Sequence, residues 1–166
     1  GSAGPGRAAG GARAGRAAPP SAQPGPPVPR RFIALAEDAI LHSDPARFAV
    51  LYHLLWRLAH GEPRLMAVAA DPLLRRLEAM AAAVRRDIHK MHAFVRFRAV
   101  ADDDGEVSVP WFEPAHHIVE KAAPFFVRRF TGMRWSILTP HRCAHWDGQT
   151  LSFAPGRAGG KPADDD

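Results

Sequence analysis

The side chains with the clearest chemical potential are basic and lie close together near the middle of the chain. Seven of them fall between positions 85 and 98: Arg85, Arg86, His89, Lys90, His92, Arg96 and Arg98. Phe94 lies among them. Arginine and lysine bind phosphate oxygens, and an aromatic ring stacks on nucleobases. The cluster therefore predicts a nucleic-acid-binding surface, with DNA as the expected partner.

A purely structural role would explain the same cluster. His89 and Lys90 fall near the C-terminal end of a predicted helix, where positive charge stabilises the helix dipole. The arginines have three candidate ion-pair partners in Asp102, Asp103 and Asp104. Both interpretations remain open from the sequence alone.

A second group of residues has the side chains needed for acid–base chemistry. Glu113, His116 and His117 lie close together in the chain, and a carboxylate beside imidazoles can transfer protons. With help from Arg96, such a group would make the protein an enzyme that acts on damaged or modified nucleic acid. The alternative is that Glu113 caps the start of a predicted helix. No established catalytic motif accompanies these residues.

A third group alternates along a predicted strand. His141, Cys143 and His145 would point to the same face of a sheet, where two imidazoles and a thiolate can bind a metal ion. The spacing indicates no fourth ligand, so we expect no metal and no cofactor. Cys143 is the only cysteine, which excludes an internal disulfide.

The charge of the chain is unevenly distributed. The chain has 166 residues and a formal net charge of +5. Residues 1–31 contain five arginines and no acidic residue, so the remainder is electrically balanced. A nucleic-acid hypothesis for the folded part therefore depends on local clusters. No apolar run approaches the roughly 20 residues that span a bilayer, and we expect a cytoplasmic protein without a membrane partner.

Composition divides the chain into three segments. Gly, Ala, Pro and Arg dominate residues 1–29, a composition typical of a disordered linker. Residues 155–166 are predicted to be a second linker. Residues 30–154 carry the apolar periodicity of a folded domain.

Within residues 30–154, helices are predicted first and strands later. Apolar residues at helical spacing predict helices over residues 30–42, 45–60, 72–91 and 114–130. Alternation predicts strands over residues 92–98, 106–112, 134–138, 142–146 and 150–153. The helix at 45–60 is apolar on most sides and is therefore expected at the centre, whereas Pro124 is expected to kink or split the last helix. This order indicates an α+β fold, with an N-terminal helical half packed on a small antiparallel sheet and one kinked covering helix.

Four runs of sequence resemble a bacterial family of unknown function that is described as a probable DNA metabolism protein. They are PRRFIALAEDAILHSDPARFAVLYHLLWRL, AVRRDIHKMHAFVRFR, WFEPAHHIVEKAAPFFVRRFTGMRWSILTP and AHWDGQTLSFAPG. The resemblance covers roughly residues 28–154. Members of that family occur beside a radical-SAM protein proposed to act in DNA modification or repair, or fused ahead of a UdgX-type uracil-DNA glycosylase domain.

The resemblance implies a role in DNA repair or DNA metabolism with a glycosylase-like or radical-SAM partner. It implies no particular reaction, because none is established for the family. It also implies that the domain is truncated at its C-terminal side and exposes apolar surface, because the family continues with a further helical segment. Three functions follow: an accessory or nucleic-acid-binding module, an enzyme acting on damaged or modified nucleic acid, and a protein–protein docking module.

Overall fold

In a computed structural model the described residues are 1, 2, 4 and 27–163. The predicted linker at residues 1–29 lies almost entirely outside this part of the chain, as do residues 164–166. The described part contains four α-helices, one short 3-10 helix and one five-stranded sheet. The helices come first, and the predicted α+β class is confirmed.

The helices and strands follow one another in a simple order. The helices are α1 (Arg30–Ala39), α2 (Arg47–Ala59), α3 (Pro72–Phe94) and α4 (Val119–Arg129), with the 3-10 helix at Leu65–Ala67. The strands are β1 (Val100–Asp102), β2 (Gly105–Ser108), β3 (Arg134–Ile137), β4 (Arg142–Trp146) and β5 (Leu151–Pro155). They lie in the sheet in chain order.

One pairing in the sheet is parallel. β2 pairs with β3 in parallel, and the other three pairings are antiparallel. The sheet is therefore mixed, where an antiparallel sheet was predicted. The reason is that α4 lies between β2 and β3 in the chain, and a helical crossover returns the chain to start the next strand in the same direction.

Helix α3 connects two hydrophobic cores. Its first half, including Leu74 and Leu77, packs with α1, α2 and the 3-10 helix. Its second half, including Val84 and Met91, packs with α4 and the sheet, where Trp135 is 1% exposed. The remaining face of α3 contacts neither core and is exposed along the helix.

The start of α3 is fixed by Asp71, as the Asp-Pro pair predicts. Asp71 Oδ1 accepts hydrogen bonds from the backbone N–H groups of Leu73 and Leu74, both at 3.0 Å. Arg57 Nη2 lies 2.6 Å from Asp71 Oδ2. The hydrogen bond from Arg57, followed by the one from the Leu74 N–H, lowers the pKa of Asp71 to about 2.

We expect Asp71→Ala to lower the free energy of unfolding at pH 7 by about 1–2 kcal/mol, since it removes a helix cap and the partner of Arg57. Asp71→Asn keeps a capping oxygen without the charge and should cost less. Urea denaturation measures both. Because the pKa of Asp71 is lowered by folding, its contribution is present above the ordinary value of 3.8 and is lost as the pH falls towards 2. Equal losses in the two variants would contradict this role.

The predicted strand over residues 92–98 is wrong. α3 continues to Phe94, and residues 95–99 have no regular secondary structure before β1 begins at Val100. The predicted alternation of burial is nevertheless present, because Val95 is buried and Phe97 half-buried while Arg96 and Arg98 are exposed.

The predicted central position of α2 is also wrong. The helix buries Val50, Leu54 and Leu58 against α1 and α3. Its opposite side is exposed, with Tyr52 65% and Trp56 51% accessible to solvent. An apolar surface is thus exposed in the described part of the chain, and it lies on a helix that was expected to be enclosed.

The last helix begins later than predicted. α4 starts at Val119, and residues 114–118 form a loop. Pro124 lies inside α4, which is one continuous helix rather than two. At the C-terminal end, β5 reaches Pro155, and the backbone N–H of Arg157 still donates to Thr139 O at 2.9 Å. The folded chain therefore continues past the expected boundary at residue 154.

Candidate nucleic-acid interface

The exposed face of α3 is basic over most of its length. Its exposed basic residues, which we call the basic face, are Arg75, Arg76, Arg85, Arg86, His89 and Lys90. The two acidic residues of α3 are engaged elsewhere. Glu78 pairs with Arg31 of α1, and Asp87 is buried and accepts a hydrogen bond from the backbone N–H of His116 at 2.8 Å. Neither acidic residue of α3 is therefore paired with a residue of the basic face.

The structure brings four of the seven predicted binding residues together. A groove of about 460 Å³ is lined by Ala82, Arg85, Arg86, His89 and Lys90. These positions follow helical spacing, so their side chains share one side of α3. Ala82 is small, which leaves room between the long basic side chains. The groove therefore lies among four exposed basic side chains of the basic face.

Ion pairs neutralise the basic face only in part. Arg85 Nη1 lies 3.2 Å from Asp38 Oδ2, but the same carboxylate also pairs with Lys121 at 2.7 Å. Arg76 lies 3.7 Å from Asp44. The ion pairs within residues 27–163 are Arg31–Glu78, Arg57–Glu62, Arg57–Asp71, Arg76–Asp44, Arg85–Asp38, Lys121–Asp38, Arg134–Asp102 and Arg142–Glu120. None of these pairs includes Arg75, Arg86 or Lys90, so these three residues have no carboxylate partner within residues 27–163. The basic face keeps an excess of positive charge.

His92 does not belong to the basic face. Its ring stacks on Phe125 of α4 at 4.0 Å between centroids, and its Nε2 lies 3.2 Å from Ala122 O. Burial lowers the pKa of His92, the hydrogen bond to Ala122 O raises it, and the charges of His89 and Arg128 lower it further. α3 continues to Phe94, past the point where a strand was expected. His92 therefore lies on the helix, where it packs α3 against α4.

Arg96 and Arg98 lie beyond the C-terminal end of α3 and are exposed. Arg96 Nη1 donates to Ala93 O in the last turn of the helix. The predicted alternative, in which the arginines pair with the acidic turn, is not observed for these two residues. Asp102 instead pairs with Arg134 at 2.6 Å. Arg98 and the 65% exposed ring of Phe94 continue the exposed surface past the basic face.

The three acid–base candidates do not converge on one another. Glu113 is exposed and accepts a hydrogen bond from Trp111 Nε1 at 3.0 Å, so it does not cap a helix. His117 is exposed, and its backbone N–H donates to Leu41 O at 2.9 Å. His116 is half-buried, and its Nδ1 accepts a hydrogen bond from the backbone N–H of Ser43 at 3.0 Å. The contacts of His116 and His117 join the loop before α4 to the loop before α2.

The surroundings of His116 favour the neutral form of its ring. Its Nδ1 can accept from Ser43 only when unprotonated, and its ring lies 4.1 Å from that of His42. Burial lowers the pKa of His116, as do the charges of His42, His117 and Arg86, against an opposing effect of Asp87. Both His92 and His116 therefore resist protonation in the folded protein.

We expect the free energy of unfolding to fall as the pH drops from 7.5 to 5.5. The pKa values of His92 and His116 are lowered by folding from the ordinary 6.5, so the unfolded chain binds more protons and stability is lost below that value. His116→Asn keeps an acceptor for Ser43 but does not titrate, and should lose less stability between these pH values. Urea denaturation at both pH values, with His117→Asn as the matched control, measures the difference. An unchanged loss in His116→Asn would contradict the assignment.

Comparison with known proteins assigns the chain to a family. A family model described as a domain of unknown function, DUF4130, matches residues 45–152, which is more than half of the chain. The chain belongs to the DUF4130 family. No curated protein and no solved structure matches the chain. The unknown-function family implied by the sequence runs is thus confirmed, and its association with a glycosylase or a radical-SAM protein stays a prediction.

The match places the basic face inside the DUF4130 domain. It begins just before α2 and ends in β5, so it contains all of α3 and α4. α1 lies before it and contributes Asp38, the shared partner of Arg85 and Lys121. The groove, its lining and most of its surroundings therefore belong to the family domain.

The third predicted group lies on β4 of the DUF4130 domain and does not gather as a ligand set. Cys143 is buried with its Sγ 3.8 Å from Thr139 O, and His145 Nδ1 lies 2.7 Å from Ser136 Oγ. His141 is exposed before the strand. Among the described residues, no three His, Cys, Asp or Glu side chains are arranged to hold a metal ion. None of the helices in the described residues is long and apolar enough to cross a membrane.

Sequence reasoning missed two parts of this surface. Arg75 and Arg76 were not included in the predicted cluster, although they lie ten and nine positions before its first residue, Arg85, on the same helix. Tyr52 and Trp56 were placed in the core. The inclusion of Arg75 and Arg76 could have been predicted, because their helical spacing places them on the same side of α3 as Arg86 and Lys90. The exposure of Tyr52 and Trp56 could not, because the sequence does not indicate which side of α2 faces solvent.

Proposed function

We propose that this DUF4130 domain is a nucleic-acid-binding module of DNA metabolism, in which the basic face of α3 contacts the phosphate backbone. The observation that carries the proposal is a set of exposed cations on one face of α3 that have no carboxylate partner within residues 27–163: Arg75, Arg86 and Lys90. Phosphate contacts from Lys and Arg supply most of the affinity in sequence-independent binding.

The geometry of α3 suits an extended polyanion. The helix rises about 1.5 Å per residue, so Arg75 and Lys90 are separated by about 22 Å along its axis. A small anion would be held at one point, whereas a phosphate backbone can contact the face at several points. Both hydrophobic cores hold α3 in place, so the cations are presented on a fixed support.

The resemblance to the probable DNA metabolism family supports DNA as the partner and supports a cytoplasmic role in DNA repair. The same resemblance supports a uracil-DNA-glycosylase-like domain or a radical-SAM protein as the catalytic partner. In this proposal the chain contributes binding and positioning, because its acid–base candidates are used in packing and loop contacts.

The proposal is tested by measuring the affinity of the full chain for fluorescein-labelled DNA as a function of salt. Three contacts to single-stranded phosphates predict a slope of log Kd against log salt concentration of about 2. The N-terminal arginines are a source of background binding, so the parent for this measurement carries Arg7→Gln, Arg13→Gln and Arg16→Gln. Measurable affinity with this slope supports the proposal, and no binding at low salt in this parent would contradict it.

A further inference from the structure

A cleft lies between α2 and the first turn of α3. It has a volume of about 380 Å³ and is lined by Tyr52, His53, Trp56, Arg57 and Leu73. Tyr52 and Trp56 lie four residues apart, so their rings share one side of α2. They are 65% and 51% exposed. Two large aromatic side chains are therefore presented to solvent at the rim of one cleft.

The walls of the cleft are held in place before any ligand binds. The indole of Trp56 stacks on His60 at 4.3 Å with an interplanar angle of 12°. Arg57 donates four hydrogen bonds to Glu62 and Asp71, from Nε, Nη1 and Nη2. A guanidinium has five N–H donors, so one N–H on Nη1 has no partner among the described residues. The cleft is thus lined by the Tyr52 ring, by the Trp56 indole, which His60 holds by stacking, and by Arg57, which keeps one N–H without a partner among the described residues.

This combination suits a flat, neutral ring with a hydrogen-bond acceptor. Aromatic faces bind nucleobases by stacking, whichever base is present. The free N–H of Arg57 can donate to a carbonyl or ring nitrogen of the base. The carboxylates of Glu62 and Asp71 surround Arg57 at 2.7 and 2.6 Å and offset its charge. A phosphate would be repelled there, whereas a neutral base would not.

The cleft and the basic face share one helix. Leu73 lines the cleft, and Arg76 lies one helical turn further along α3 with its side chain 51% exposed. From Leu73 to Lys90 the helix extends about 25 Å, which is long enough for several nucleotides. A base inserted at the cleft would leave its backbone to run along the basic face.

We propose that the cleft holds one unpaired base of a single-stranded nucleic acid whose phosphates contact the basic face. The inference rests on the proposed function and narrows its substrate from nucleic acid in general to single strands. In a duplex the bases are stacked and paired, so no base is available to enter the cleft without being unstacked.

The test compares Trp56→Ala and Trp56→Phe with the full parent chain. The probes are a fluorescein-labelled single strand of about 12 nucleotides and a duplex of the same length, within the range of known single-strand sites. Trp56→Ala should weaken binding to the single strand about tenfold, since one stacked base is lost. It should leave duplex binding and the salt slope unchanged, and Trp56→Phe should restore most of the lost affinity. Trp56 is on the surface, and thermal denaturation checks that both variants are folded.

The outcomes separate this inference from the function on which it rests. If Trp56→Ala binds the single strand as tightly as the parent, while charge reversal on the basic face abolishes binding, the base site is wrong and the nucleic-acid function stands. If the parent binds no nucleic acid, both are wrong. If sedimentation shows a dimer of the parent that Trp56→Ala converts to a monomer, the cleft is an interface between copies of the chain and the inference is overturned.

Discussion

Replacing Phe126 with alanine is expected to lower the free energy of unfolding by about 3–5 kcal/mol. Phe126 is 1% exposed and lies at the centre of the second core. Its ring lies 5.5 Å from that of Phe97 and 6.2 Å from that of Trp135, between centroids. Alanine would leave a cavity at the point where α4 packs on the sheet. The loss is a large fraction of the 5–15 kcal/mol typical of a whole domain.

Urea denaturation followed by circular dichroism measures this loss. Phe94→Ala is the matched control, because Phe94 is 65% exposed and its removal should change stability by about 0.5 kcal/mol or less. Phe126→Leu fills part of the cavity and should fall between the two, which keeps the comparison usable if Phe126→Ala does not fold. Similar losses for Phe126→Leu and Phe94→Ala would contradict the position of Phe126 in the core.

Reversing two charges on the basic face, Arg86→Glu with Lys90→Glu, is expected to weaken DNA binding at least about tenfold and to reduce the salt slope by about 1.5. Neither residue has a carboxylate partner among the described residues, so the change removes two phosphate contacts and adds repulsion without breaking an ion pair. Stability should change little, because both side chains are exposed.

The control for this variant carries the same change in net charge elsewhere. Arg64 and Arg157 are exposed and lie outside α3, so Arg64→Glu with Arg157→Glu alters the overall charge without touching the basic face. Both variants are measured in the parent that lacks the N-terminal arginines at positions 7, 13 and 16. Equal weakening in the two variants would mean that binding follows net charge and not this face.

The sequence was sufficient where local chemistry decides the structure. Asp71 before Pro72 predicts the start of α3, and Asp147-Gly148 predicts the turn between β4 and β5, where Gly148 has φ of 97°. The hairpin at Asp102–Gly105 follows from the same kind of signal, with Gly105 at φ 116°. In each case a side-chain oxygen or a glycine satisfies a backbone requirement within a few residues.

The sequence was insufficient where the structure depends on distant partners. α2 has apolar residues on most sides, and only its contacts with α1 and α3 decide that Val50 and Leu54 are buried while Tyr52 and Trp56 are exposed. At Val95 and Phe97 the burial alternates as in a strand, but no neighbouring strand begins before Val100. His92 was assigned to the binding surface because the predicted end of α3 came too early in the chain.

An NMR titration tests the central claim, that the basic face binds nucleic acid, most directly. The ¹⁵N-labelled full chain, with Arg7, Arg13 and Arg16 changed to glutamine, is titrated with a single-stranded oligonucleotide of about 12 nucleotides. We expect the largest changes in amide chemical shift on α3, between Arg75 and Lys90, with smaller changes at Tyr52 and Trp56 of α2. Shift changes confined to residues outside α3, or no change at saturating oligonucleotide, would contradict the claim.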